Sequence, residues 1–142
     1  MTRPRIAPVL IPHGYCDPGC PHCPNRVDAA PVPGRPEVLR AMERARTLGA
    51  DQPLELAFYG GDFWTLPVEA RTELLAAAED LVTEGLVCSI RVTMTPASVL
   101  RAPLAGLRAR GVGAVELTVL SFDRSVLGRL AAGRGPEAGR AA

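Results

Sequence analysis

Short apolar runs alternate with longer amphipathic stretches along this chain, and each change of period marks a change of element. Ile6 to Ile11 is an apolar run ended by Pro12, suited to a buried strand that tolerates Pro8 near its start or edge. Asn25 to Arg35 is a Pro/Ala/Gly loop, and helix signals follow it. Pro36 sits in a first turn, Glu37 lies near the N-terminal dipole, Leu39, Met42 and Ala45 or Leu48 recur at helical spacing, and Gly49 is the stop. Leu54 to Tyr59 reads as a second strand closed by Gly60-Gly61. A second helix starts around Pro67, carries Leu74, Leu75, Ala78, Leu81 and Val82 on one face, and ends at Gly85. Val87 to Val92 predicts a third strand that Thr95-Pro96 closes. Val99, Leu100, Leu104 and Leu107 mark a third helix delayed or kinked by Pro103 and ended by Gly111. Ala114 to Leu120 predicts the fourth strand, and Ser121 or Asp123 caps a fourth helix carrying Val126, Leu127 and Leu130.

Strand and helix therefore alternate four times at a period of roughly 30 residues, the pattern of right-handed βαβ units on a parallel sheet. The fold class is α/β. Four parallel strands fall short of the roughly eight that close a barrel, so we expect a partial (β/α) barrel, an open arc with two exposed edges. Parallel β/α folds place their sites at the carboxyl ends of the strands. The unusual stretches all fall there: the cysteine loop after the first strand, Gly60-Gly61-Asp62 after the second, Thr93-Met94-Thr95-Pro96 after the third and Ser121 after the fourth.

Composition narrows the class further. The chain has 142 residues, enough for one domain with a real core, and 47% hydrophobic with 22% charged residues suits a globular protein rather than a disordered one. We assign the domain to residues 1–134 and a flexible Ala/Gly/Arg-rich tail to residues 135–142. The 16 basic residues nearly balance the 15 acidic ones, which leaves no broad positive field to attract nucleic acid. All of the basic residues are Arg, which excludes Schiff-base and lysine-nucleophile chemistry. No apolar run reaches the ~20 residues of a membrane span, and the apolar stretch near the N-terminus is too brief for a signal peptide. The expectation is a cytoplasmic protein with no membrane partner, in which clustered cysteines are metal ligands or redox thiols rather than disulfides.

Three of the four cysteines fall within eight residues, Cys16-Asp17-Pro18-Gly19-Cys20-Pro21-His22-Cys23, a C-x3-C-x2-C spacing. Gly19 and the two prolines let the backbone wrap instead of continuing as strand or helix, so three thiolates can sit on three corners of a cubane iron-sulfur cluster. Two other readings stand beside it: a zinc site with His13 or His22 as the fourth ligand, and a set of redox thiols. Zinc prefers four protein ligands, and no second C-x2-C pair is present. Cys88 is expected to be a small buried hydrophobe within the third strand.

With its cysteine spacing after the first strand and a glycine pair plus acid after the second, the chain resembles the radical S-adenosylmethionine (SAM) superfamily. Ile11-Pro12-His13, Phe58-Tyr59-Gly60-Gly61-Asp62-Phe63, Leu66-Pro67, Ile90-Arg91, Val115-Glu116-Leu117 and Ser121-Phe122-Asp123 are similar to its Elongator catalytic subunit-like and coproporphyrinogen-oxidase-like branch. The likeness runs from about Ile11 to Arg134, the first four β/α units of an incomplete TIM-like barrel. It implies a 4Fe-4S cluster on Cys16, Cys20 and Cys23 and a SAM molecule bound near His22, Gly60, Gly61, Asp62, Thr93, Glu116 and Ser121. It also implies reductive cleavage of SAM to a 5'-deoxyadenosyl radical, a reductant such as ferredoxin or flavodoxin, and further β/α units or a protein partner to cover the open edge. A tRNA base or a porphyrin is the substrate by analogy only. Departures from the pattern are His22 in place of an aromatic residue, Leu120 in place of Gln, and Thr95 and Ala97 in place of Arg and Asp.

The alternative class is a non-catalytic cluster- or zinc-binding scaffold. Asp62 is read either as a turn-capping residue or as a direct contact to a bound ammonium group. Arg91 and Glu116 are read as a structural ion pair or as cofactor contacts, since charge within parallel strands is costly unless paired. His13 is expected to pack at the strand end, and Phe63-Trp64 to pack in the core or at the rim.

Overall fold

The computed structural model describes residues 3–16, 30–48 and 52–131. The apolar runs become strands β1 (Arg5–Ile11), β2 (Leu54–Gly60), β3 (Ser89–Met94) and β4 (Val112–Leu117). Between and after them lie helices α1 (Arg35–Thr47), α2 (Val68–Thr83), α3 (Pro96–Arg101), α4 (Leu104–Ala109) and α5 (Arg124–Ala131). Two 3₁₀ turns, His13–Tyr15 and Phe63–Thr65, follow β1 and β2. The strands form one sheet in the order β1-β2-β3-β4, every neighbouring pair parallel, so the protein is α/β with strands and helices in alternation. No helix among the described residues is long and apolar enough to cross a membrane.

The alternation on β1 sets the two faces of the sheet. Ala7, Val9 and Ile11 are buried while Ile6 and Leu10 are exposed, and the register carries the buried set across to Leu56 and Phe58 and on to Ile90 and Val92. Against this face α1 buries Val38, Ala41, Met42 and Ala45, and α2 buries Leu74, Leu75, Ala77, Ala78 and Leu81, all in one core. Each large side chain so buried stabilises the fold by about 1.5–3 kcal/mol. Among the described residues, α1 and α2 pack on that first face, and the other face is a row of polar and apolar side chains. It presents Ile6 and Leu10 from β1, Glu55 and Tyr59 from β2, Ser89, Arg91 and Thr93 from β3 and Glu116 from β4.

Several expectations change in detail. Pro103 divides the third helix in two, because it supplies no N–H to bond back into the preceding turn. The buried stripe of α1 runs through Val38 rather than Leu39, which leaves Leu39 and Leu48 exposed, and Leu100 of α3 is also exposed. Cys88 is exposed too, correcting the buried reading, since it stands one residue ahead of β3 at the amino-terminal rim of the sheet. Finally β4 ends at Leu117, not Leu120. Its last ladder bond is Thr118 N–H to Met94 O at 3.0 Å, and beyond Met94 the neighbouring chain turns into α3 and leaves no strand to pair with.

Candidate functional site

The carboxyl ends of β1 and β2 meet unusually closely, and Gly60 and Gly61 allow it. The Gly61 amide donates to Ile11 O at 2.8 Å. A Cβ on Gly61 would lie 2.6 Å from Pro12 O, and one on Gly60 would lie 2.7 Å from Leu10 Cδ1 and 2.9 Å from Ile11 O. Gly60 also has φ 100°, in the region that favours glycine. The glycine pair thus seats one strand end on the other and delivers the next residue, Asp62, to the loop that begins with Cys16. His13, in the 3₁₀ turn between β1 and Cys16, packs its ring against the end of β2, within 3.6 Å of where a Gly60 Cβ would stand.

Asp62 joins three loops. Its backbone N–H donates to Cys16 Sγ at 3.3 Å, across 46 residues of sequence. Its carboxylate, only 2% exposed, accepts from Trp64 N–H on Oδ1 at 2.9 Å and, on Oδ2, from Thr95 N–H at 3.0 Å and Thr95 Oγ1 at 2.7 Å. The capping role is therefore filled by this side chain, which starts the Phe63–Thr65 turn and pins the start of α3. The single hydroxyl proton of Thr65 is shared between Asp62 O, at 2.8 Å, and Tyr15 O, so the residue before Cys16 is held from the same side. Arg71 closes the lacing from α2, its guanidinium 3.7 Å over the Trp64 ring and Nη1 donating to Trp64 O at 2.5 Å. Burial lowers the Arg71 pKa, although a guanidinium remains charged under any ordinary condition. Phe63 belongs to the core, stacked on Phe58 with ring centroids 5.0 Å apart.

A second polar group lies on the face opposite α1 and α2. Arg91 donates from Nε and Nη2 to Glu55 Oε2 at 3.1 and 3.0 Å, and Ser89 Oγ donates to Glu55 Oε1 at 2.8 Å. Glu116 stands 3.9 Å from Arg91 Nη1 with its side chain 62% exposed, so the main partner of Arg91 is Glu55 and Glu116 is the looser, outer one. Thr93, buried, is the register partner of Glu116.

Of the residues singled out in the sequence, the fold brings Cys16, Gly60, Gly61 and Asp62 into one constellation and sets Thr93 and Glu116 side by side on the face opposite α1 and α2. Ser121 belongs to a separate cap, where its Oγ accepts from Asp123 N–H at 3.0 Å. Asp123 Oδ1 in turn accepts from Ser125 N–H at 2.7 Å and Val126 N–H at 3.2 Å. The Ser125 hydroxyl first, then the Val126 and Ser125 amides, hold its carboxyl below the ordinary range. Cys20, His22 and Cys23 lie outside the described residues. Sequence reasoning missed Glu55, although Leu54-Glu55-Leu56 alternates visibly and parity places Glu55 on the face of Arg91 once the strands are in register. It placed Thr95 at the end of the third strand and as a departure from a family pattern, but not as the residue that ties that strand end to Asp62.

No protein-family model matches the chain, and neither a curated protein nor a solved structure is found to be similar to it.

Proposed function

We propose that this chain is a partial β/α barrel of the radical SAM type, carrying a 4Fe-4S cluster on Cys16, Cys20 and Cys23 with SAM beside it. One observation carries the reading. The two motifs that stand out in the sequence, the cysteine loop and the Gly60-Gly61-Asp62 turn, are in direct contact through the 3.3 Å bond from the Asp62 amide to Cys16 Sγ at the carboxyl end of a parallel sheet. The donor chemistry at Cys16 suits a metal-bound thiolate, because the sulfur faces an amide proton. The Asp62 carboxylate beside it is occupied by Trp64 and Thr95 and does not compete for a metal.

When bound, the cluster and SAM supply a one-electron cleavage of the sulfonium to methionine and a 5'-deoxyadenosyl radical. The chain's own residues contribute position. Gly60 and Gly61 give close backbone approach, Asp62 fixes the turn, and Thr93 and Glu116 offer a hydroxyl and a carboxylate on the face opposite α1 and α2 for the polar groups of the cofactor. His22 and Ser121 complete the proposed contacts. The electron comes from a reductant of the ferredoxin or flavodoxin kind, a protein partner covers an edge of the open sheet, and the setting is cytoplasmic.

Anaerobic reconstitution tests the reading. About four iron and four sulfide per chain, with 5'-deoxyadenosine formed on adding dithionite and SAM, is the expected result. Stoichiometric zinc without sulfide overturns it, and a cluster that leaves SAM intact favours a non-catalytic scaffold.

A further inference from the structure

The geometry points to a specific role for the peptide N–H of Asp62: it is a hydrogen-bond donor to the ligating sulfur of Cys16, held there to make the bound cluster easier to reduce. The inference rests on the cluster reading above and adds to it a positioning residue.

Three observations support it. The amide nitrogen stands 3.3 Å from Cys16 Sγ. The peptide is fixed on both sides: Gly61 N–H is bonded to Ile11 O at 2.8 Å, and the Asp62 carboxylate takes three donors while almost fully buried. The peptide leading into Cys16 is held as well, since the Thr65 hydroxyl lies between Tyr15 O and Asp62 O. A donor on a thiolate ligand withdraws electron density from the sulfur and stabilises the added electron of the reduced cluster, which raises its potential. The donor is clamped by the end of β1 and the start of α3, so its direction is built into the sheet end.

The test replaces the Asp62 peptide by an ester, using the α-hydroxy acid of aspartate in a full-length chain assembled by ligation at cysteine. This removes the N–H donor while keeping the Asp62 side chain and its three donors in place. The wild-type and ester chains are reconstituted with iron and sulfide, and their midpoint potentials are read by EPR during titration with dithionite, each cluster taking up one electron. The expected result is a more negative potential for the ester, on the order of tenfold in the reduced-to-oxidised ratio, or ~59 mV for one electron. An ester at Trp64, whose N–H is one of the three donors on the Asp62 carboxylate and does not bond the sulfur, is the control and shifts the potential far less than the Asp62 ester. Asp62→Ala, made by ordinary mutagenesis, keeps the N–H but removes its clamp and is expected to shift the potential in the same direction by less. Equal potentials in wild type and the Asp62 ester, or equal shifts in both esters, overturn this inference while leaving the cluster reading intact. A wild-type chain that takes up no iron and sulfide overturns both.

Discussion

Glu55 and Arg91 form the innermost ion pair of the sheet, the carboxylate 6% and the guanidinium side chain 36% exposed, with two nitrogens of Arg91 on one oxygen of Glu55. Ser89 takes the other oxygen, so the carboxylate has a donor on each side. The two charges neutralise each other, and Glu116 stands at the outer end of the row, 3.9 Å from Arg91 Nη1.

The two halves of this pair will not be equivalent to mutation. Arg91→Met leaves Glu55 buried with only a hydroxyl for company and is expected to cost about 2 kcal/mol, below the usual range for a broken buried pair because Arg91 is partly solvated. Glu55→Leu with Arg91→Met removes both charges and is expected to recover most of that loss. Urea unfolding of the single and double variants measures the difference, and a double variant less stable than Arg91→Met would contradict it.

Gly61→Ala is expected to destabilise by about 1–3 kcal/mol, because the added methyl meets the rigid backbone oxygen of Pro12 and not a movable side chain. Gly60→Ala adds positive-φ strain to a clash with Ile11 O and should be at least as damaging. Gly85→Ala shares the positive φ but meets nothing within 4 Å, so it is expected to cost only about 1 kcal/mol. Thermal unfolding of the three variants gives the ranking. Glycines kept solely for a ligand would leave Gly61→Ala as stable as the parent.

Much of this architecture could be read from local pattern. The strand at Ile6 to Ile11 and the stripe of α2 each follow from residues near in sequence, as does the stop that Gly85 makes, whereas the exposure of Ile6 and Leu10 does not follow from an unbroken apolar run. What escaped depends on pairing across distance. The end of β4 is fixed by where β3 turns into α3, and the exposure of Cys88 by how far the ladder reaches past Leu54. The Glu55–Arg91 bond depends on the β2–β3 register, and the hub at Asp62 depends on Thr95, 33 residues further on. A capping aspartate and a ligand aspartate look the same in sequence. Their difference lies in which donors arrive from other strands.

Ser98, in the first turn of α3, is fully buried with no hydrogen-bond partner for its hydroxyl among the described residues. An unmet buried hydroxyl costs about 1–3 kcal/mol, and alanine is the better helix former. Ser98→Ala is therefore expected to be neutral or to stabilise by up to about 1 kcal/mol, seen as a higher urea midpoint at unchanged slope. A clear loss of stability would mean that the hydroxyl has a partner in solution.

The cap of α5 should be sensitive to acid. Asp123 is held below its ordinary pKa by donors from Ser125 and Val126 that favour its charged form. A carboxyl depressed in the folded state contributes stability that is present above its unfolded pKa and disappears as pH falls through its folded one. The cap should therefore hold at neutral pH and loosen below about pH 4. Glu37, lowered by the Gly34 N–H it accepts, adds the same trend at the start of α1. Amide protection factors at Val126, followed from about pH 6 to pH 3, are expected to fall. Asp123→Asn keeps an acceptor oxygen without a titrating group and should give a flat profile over that range, whereas a wild-type profile as flat as the variant's would show that the carboxylate charge contributes nothing to the cap.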